Sequence, residues 1–275
     1  MGRQRRHTGG GLAVGAAVAG LMALVTGCSG GGAAASDDPR AADPAGTVRR
    51  LADSLVRAGS SEARTSMEMA SGGTRVTITG RGAYDYARRL GRFEVVLPQD
   101  PADGGRHKPP VTEVMAGGDL YMKNRGAGVP ADKWVHVETA TLSDGNLVTG
   151  GATDPLVAAE LLRGARRVTY AGRTRLDGVD VRHYRGVADL ARAAKGAAPD
   201  HGRALRVAAA KGFSKGGVRF DAYVDEGGLP RRIRHRFAVA DADVASTTSL
   251  YGFGVRVGVR LPAERNIYAG KIAER

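Results

Sequence analysis

The sequence predicts an α+β fold: one large curved antiparallel sheet, an unclosed half-barrel of about ten or eleven strands, with helices packed on its concave face. Three observations lead there. Apolar and polar residues alternate with a period of two in run after run beyond residue 60, which is the pattern of strands with one face buried and one wet. Glycine-containing turns of a few residues separate those runs. Helical patterns are interspersed among the strands without alternating with them, which argues against βαβ units and a parallel sheet.

The chain opens with Arg3, Arg5 and Arg6 and no acid, followed by an apolar or small-residue run from Leu12 to Val25. That run is shorter than the roughly 20 apolar residues a stable transmembrane helix needs, so residues 1–27 read as a secretory signal. Cys28 is the only cysteine and has no disulfide partner. Val25-Thr-Gly-Cys28 resembles a bacterial lipobox, in which the cysteine sulfur accepts a diacylglycerol before cleavage leaves it as the first residue. A lone thiol also fits an oxidising exterior, where a second one could pair wrongly. The expected location is extracytoplasmic, lipid-anchored to the cell membrane through Cys28.

Residues 28–45 are Gly, Ala, Ser, Asp and Pro with little to bury, and read as a tether. Residues 46–270 form the expected lipid-binding domain. Thr47 is placed to cap a helix whose stripe is Val48, Leu51, Ala52, Leu55 and Val56, ending near Gly59. Strands follow around Thr65 to Met69, Arg75 to Thr79 and Arg92 to Leu97, then a polar loop from Asp100 to Pro110. Val111 to Ala116 and Asp119 to Lys123 flank Gly117-Gly118 as a hairpin, and Lys133 to Glu138 carries the only tryptophan, Trp134.

Asp154-Pro155 signals a helix cap with proline at the first helical position, and the helix runs to Gly164. Strand patterns resume at Arg166 to Ala171 and Val179 to Leu190. Short helices are expected at Asp189 to Lys195 and Asp200 to Lys211. Strands at Val218 to Asp225, Arg231 to Val239 and Thr247 to Val255 complete the count.

Without the three leader arginines, 38 of the 41 basic residues stand against 28 acids, a formal +10. Such a charge suits anionic lipid headgroups or wall polymers. It also has a compositional source: arginine outnumbers lysine thirty-four to seven amid abundant Ala, Gly and Val, as in high-GC coding. The arginines are scattered along strands and not clustered with aromatics, so nucleic acid is not an expected partner.

Catalytic patterns are weak. Gly212-Phe-Ser-Lys-Gly216 matches G-x-S-x-G, but a nucleophile elbow needs a strand entering and a helix leaving, and here a helix enters and a strand leaves. The glycines read as the end of a helix and a turn. The histidines, at 7, 107, 136, 183, 201 and 235, show no metal-ligand spacing. His183 and His235 read as surface or half-buried strand residues. No enzyme activity, metal or cofactor is expected.

The candidate site is therefore an apolar cavity on the inward strand faces, assigned by alternation alone: Met67, Met69, Val76, Ile78, Phe93, Val95, Leu97, Leu120, Met122, Val135, Val137, Phe220 and Val224. Methionine adapts its shape and suits irregular apolar ligands, and a half-closed barrel of this many strands leaves room for one. The helix from Asp154 to Gly164 is the expected lid. The competing reading is that these side chains fill a core under the helices.

Five stretches in order after the lipobox carry a resemblance: Asp119-Leu-Tyr-Met-Lys123 with Lys133-Trp-Val-His-Val137, Val179-Asp-Val-Arg-His-Tyr-Arg-Gly186, Val224-Asp-Glu-Gly-Gly-Leu-Pro-Arg-Arg-Ile233, and Tyr251-Gly-Phe-Gly-Val255. Together, over residues 46–270, they resemble the actinobacterial LppX/LprAFG-like lipoproteins, related in fold to the LolA and LolB carriers. Gly252 and Arg256 depart from that family's pattern, which often has an acid before the phenylalanine and a proline before the next valine. The resemblance implies an unclosed barrel, helices plugging its concave side, and a hydrophobic cavity for acyl chains of lipids, glycolipids or lipoproteins. The implied function is carriage or transfer by a membrane-anchored monomer, with an envelope transporter as a further partner. The alternative is a non-transport envelope lipoprotein acting as a sensor or protein-interaction scaffold.

Overall fold

The computed structural model describes residues 42–71, 73–98, 109–126, 128–239 and 242–270. By its contacts the chain divides into residues 1–36 and 37–275, and every described element lies in the second unit. The expected signal, Cys28 and most of the expected tether and of the 100–110 loop lie outside the described residues.

Eleven strands form one antiparallel sheet: β1 (Ser60–Ser71), β2 (Thr74–Asp85), β3 (Leu90–Val96), β4 (Val111–Ala116), β5 (Asp119–Lys123), β6 (Trp134–Glu138), β7 (Ala165–Leu176), β8 (Val179–Ala188), β9 (Val218–Asp225), β10 (Pro230–Val239) and β11 (Ala242–Tyr251). Their order is β6-β5-β4-β3-β2-β1-β11-β10-β9-β8-β7. Two meanders, β1 to β6 and β7 to β11, are thus joined where β1 pairs with β11, and the edges β6 and β7 do not meet. The sheet is an open half-barrel.

Among the described residues, α-helices complete the fold: α1 (Pro44–Arg49), α2 (Leu51–Ala58), α3 (Pro155–Leu161), α4 (Leu190–Gly196) and α5 (Pro199–Ala210). The first differs from expectation: its cap is Asp43, whose carboxylate accepts from the Gly46 amide at 2.7 Å, so helix starts before Thr47. Val56, expected on the buried stripe, is 44% exposed. Asp154 and Asp189 cap α3 and α4.

The period of two places alternate residues against the helices. Ala63, Phe93, Met122 and Val135 share one core with Leu51 and Leu55 of α2, Leu156 and Leu161 of α3, Leu190 of α4 and Leu205 of α5. Gly91 is required here, because a β-carbon would collide with the Tyr84 ring lying across it.

A second, smaller core lies on the opposite face. Leu90 and Val114 pack with Val259, flanked by Tyr121, Trp134 and Val257. The chain after β11 therefore folds back over the outside of β3 to β6. Its Tyr268 amide donates to the Trp134 carbonyl at 2.8 Å, and Ile267 bridges Trp134 in parallel. This covers the β6 edge, which would otherwise offer unpaired backbone groups.

Among the described residues no helix is long and apolar enough to cross a membrane.

Candidate functional site

The expected cavity residues fall into ladder rows on the helix-covered face. Phe93 pairs with Glu113, Glu113 with Met122 and Met122 with Val135. Met67 pairs with Ile78 and with Ser246, Ser246 with His235 and His235 with Phe220. Met69 pairs with Val76 at the far end of β1 and β2. Val95 is buried in the next row, and Leu120 and Val224 join the same core. Met69 and Val137 pack against it partly buried, and Val76 is half-buried. Leu97 lies past the end of β3 and is 37% exposed, outside that core.

What covers these rows is the connection from β6 to α3, residues 139–154, together with the helices. Its turn is built on Asp144, whose carboxylate accepts from the amides of Asn146, Val148 and Thr149 at 3.0, 2.8 and 2.7 Å. Arg125 clasps it from outside, donating to the carbonyls of Gly150 at 3.2 Å and Thr149 at 3.1 Å. Thr153 and Ser246 share a hydroxyl hydrogen bond of 2.7 Å. Leu147 and Ala152 are buried. Gly151, at φ +95°, passes so close that a β-carbon there would touch Ile78 at 3.4 Å and Val95 at 3.5 Å. The segment thus lies directly on the side chains expected to line the cavity.

The expected lid, Asp154 to Gly164, is itself packed into the core. In α3 every residue but Val157 is buried, and a buried polar network pins its start. The Tyr84 hydroxyl donates to Asp154 Oδ2 at 2.8 Å, and Asp154 Oδ1 accepts from the amides of Leu156 and Val157. His201 Nδ1 lies 2.6 Å from Glu160 Oε2, and its Nε2 3.9 Å from Asp154. Burial would push His201 down, but its hydrogen bond to Glu160 and the charges of Asp154 and Glu160 outweigh it and raise it. Burial raises Asp154 against the pull of His201 and its hydrogen bonds. The sequence reading missed this network, because its members are far apart in the chain and only Asp154 carried a signal, as a cap.

Three other polar groups on the same face have no hydrogen-bond partner among the described residues: both oxygens of Glu113, Nε2 of His235 and Oγ1 of Thr65. Glu113 is fully buried, and burial pushes its carboxyl up to about 8, only partly offset by Arg125. It stays protonated at neutral pH and is able to donate as well as accept. Burial pushes His235 down to about 3, which keeps its imidazole neutral. His235 is thus fully buried, where the sequence suggested surface or half-buried. Alternation did hold the signal for Glu113, since it shares parity with Val111 and Met115 in β4.

Open space lies mainly elsewhere. A cavity of about 840 Å³ sits at the sheet rim among Arg88, Arg89, Gly117, Glu138, Asp200 and Arg260. A space of about 20 Å³ beside it reaches inward to Asp154 and His201, room for about one water. Ser214 is buried in the turn between α5 and β9, at φ +50° with its hydroxyl unpartnered among the described residues. Helix enters and strand leaves, the reverse of a nucleophile elbow.

No protein-family model and no curated protein sequence matches the chain. Solved structures that match include lipoprotein LprF from Mycobacterium bovis, at 14% identity and TM-score 0.41, covering 82% of this chain and 98% of that one. Lipoprotein LppX from Mycobacterium tuberculosis matches at 10% identity and TM-score 0.45, covering 81% of this chain and all of that one. A LolA superfamily protein from Nitrosomonas europaea matches at 10% identity and TM-score 0.29, covering 72% of this chain and 91% of that one. These are the proteins that the sequence resemblance names. At TM-scores below 0.5 these likenesses carry no argument about function, which rests on the chain's own residues.

Proposed function

We propose that this chain is a membrane-anchored envelope lipoprotein that binds acyl chains of a lipid or glycolipid between the sheet and the 139–154 segment, for carriage or transfer. The observation that carries the reading is Glu113. A fully buried carboxyl with both oxygens unpartnered, set in a row of Phe93, Met122 and Val135, is costly unless something polar reaches it. An amphiphile supplies both parts: a hydroxyl or carbonyl for Glu113, and methylenes for the apolar row.

Each buried methylene contributes about 0.8 kcal/mol, offset in part by the chain freedom the ligand loses. Entry requires the 139–154 segment to lift from Ile78 and Val95, which Gly151 approaches to within van der Waals distance. Anchoring at Cys28 would keep the domain beside its lipid source. Native mass spectrometry with organic extraction, on the Cys28→Ser chain without its signal and expressed in a related bacterium, tests the reading. Co-purified lipid near unit stoichiometry, lost in Val76→Trp or Val95→Trp, is the expected result. An empty protein that takes up no fluorescent fatty-acid or phospholipid probe overturns it.

The second reading is an interaction scaffold, a sensor or assembly factor. The tight seating of Gly151 on Ile78 and Val95 favours it, because a scaffold keeps a filled core. It predicts the empty protein and a specific crosslinked protein partner.

A further inference from the structure

On the face away from the helices, Arg167, Arg185, Arg219 and Arg236 surround a shallow groove of about 470 Å³ across β7 to β10. The ladder register sets Arg219 directly opposite Arg236, and like charges so placed are destabilising. One acid lies among them. Asp221 accepts from Arg236 at 2.8 Å through Oδ2, and its Oδ1 is taken by His183 Nε2 at 2.8 Å. Asp221 also sits directly opposite Arg185 in the β8–β9 ladder, so this one carboxylate is shared, and no ion pair joins Arg167, Arg185 or Arg219 to an acid among the described residues.

The backbone adds an independent observation. Arg167 adopts φ +51°, a left-handed conformation costly for a bulky residue, at the bulge where β7 slips against β8 between Arg166 and Thr169. Bulges re-aim side chains, and this one turns an arginine toward a groove that already holds excess positive charge.

The groove also lies near where the chain enters the domain. Arg49 at the end of α1 donates to the Ala165 carbonyl at the start of β7, at 3.0 Å through Nε and 2.7 Å through Nη2. Residues 29–43 lead from Cys28 to α1, a reach of at most about 50 Å.

We propose that this groove binds the phosphate groups of anionic phospholipids, so that the outer face of β7 to β10 lies against the membrane to which the chain is tethered. Guanidinium groups pair with phosphate oxygens in a bidentate fashion, and four arginines around a single carboxylate match the negative surface of such a leaflet. The choice of a membrane as occupant rests on the Cys28 anchor proposed above; the phosphate chemistry does not.

The test is co-sedimentation of the unlipidated Cys28→Ser chain starting at residue 28, which contains every described element, with vesicles of phosphatidylcholine alone or mixed with phosphatidylglycerol. Binding is expected only with phosphatidylglycerol. It should fall at least about tenfold in Arg167→Gln/Arg185→Gln/Arg219→Gln and stay within about twofold in Arg88→Gln/Arg92→Gln/Arg260→Gln, which removes the same charge elsewhere. Arg219→Gln alone should weaken binding yet raise Tm, because it relieves the opposition to Arg236; this single variant serves if the triple one fails to fold. Equal loss in both triple variants, or no preference for phosphatidylglycerol, overturns the proposal. So does binding of inorganic phosphate or polyphosphate with vesicles ignored, which would assign the groove to a soluble or polymeric phosphate. Lipidation is read separately from the mass of the mature protein, so a failed anchor and a failed groove are distinguishable.

Discussion

Glu113 and His235 place two opposite demands on pH. The folded-state pKa of Glu113, about 8, lies above its ordinary 4.5, so the folded chain keeps a proton that the unfolded chain releases. Its contribution to stability is whole below about 4.5 and is lost as pH rises toward 8, by at most about 5 kcal/mol. Glu113→Gln should flatten that slope and stabilise the empty protein at pH 8, read by urea unfolding at several pH values. If the carboxyl anchors a ligand, the same variant lowers lipid occupancy. His235 behaves in reverse: at about 3 against an ordinary 6.5, it costs stability as pH falls through that window, because only the unfolded chain takes the proton. His235→Leu should remove much of the loss between pH 6.5 and 3. The parity of Glu113 was legible in the strand pattern, but its lack of a partner was not, since that depends on what β3, β5 and the covering segment bring to it.

The elements show where local signals suffice. Asp154-Pro155 marked a true cap, because capping depends on bonds within a few residues. Amphipathic spacing, by contrast, does not reveal that Tyr84 bonds Asp154 at the start of α3 or that His201 bonds Glu160 within it. The 139–154 segment has little periodicity and drew no prediction, yet one carboxylate, Asp144, organises it through three amides. Asp144→Ala should destabilise the fold by roughly 1–3 kcal/mol. It should also speed uptake of a fluorescent fatty acid by loosening the cover; slower or unchanged uptake would mean that the segment does not gate the interior.

In the molecule as a whole, the two meanders meet only through β1 and β11, and the two edges are treated differently. The β6 edge is covered by the returning C-terminal segment, which builds its own small core around Val259. A chain ending after Tyr251 should bare that edge and the outer faces of Leu90 and Val114, and so self-associate. Light scattering against concentration would detect this; a monodisperse truncated chain would show that the segment protects nothing.

By itself, the amino-acid pattern determined the class of the fold, a count of about ten or eleven strands and the bounds of β4, β5 and β9, because alternation, glycine turns and caps are written over a few neighbouring residues. It also determined the parity that puts Phe93, Met122 and Phe220 on the buried face. Tertiary structure alone decided how the strands are ordered, that residues 139–154 lie over Ile78 and Val95, that Glu113 has no hydrogen-bond partner among the described residues and that Arg219 faces Arg236. Those facts depend on residues distant in the chain meeting across a ladder or over a face, and no local periodicity records which strand lies beside which.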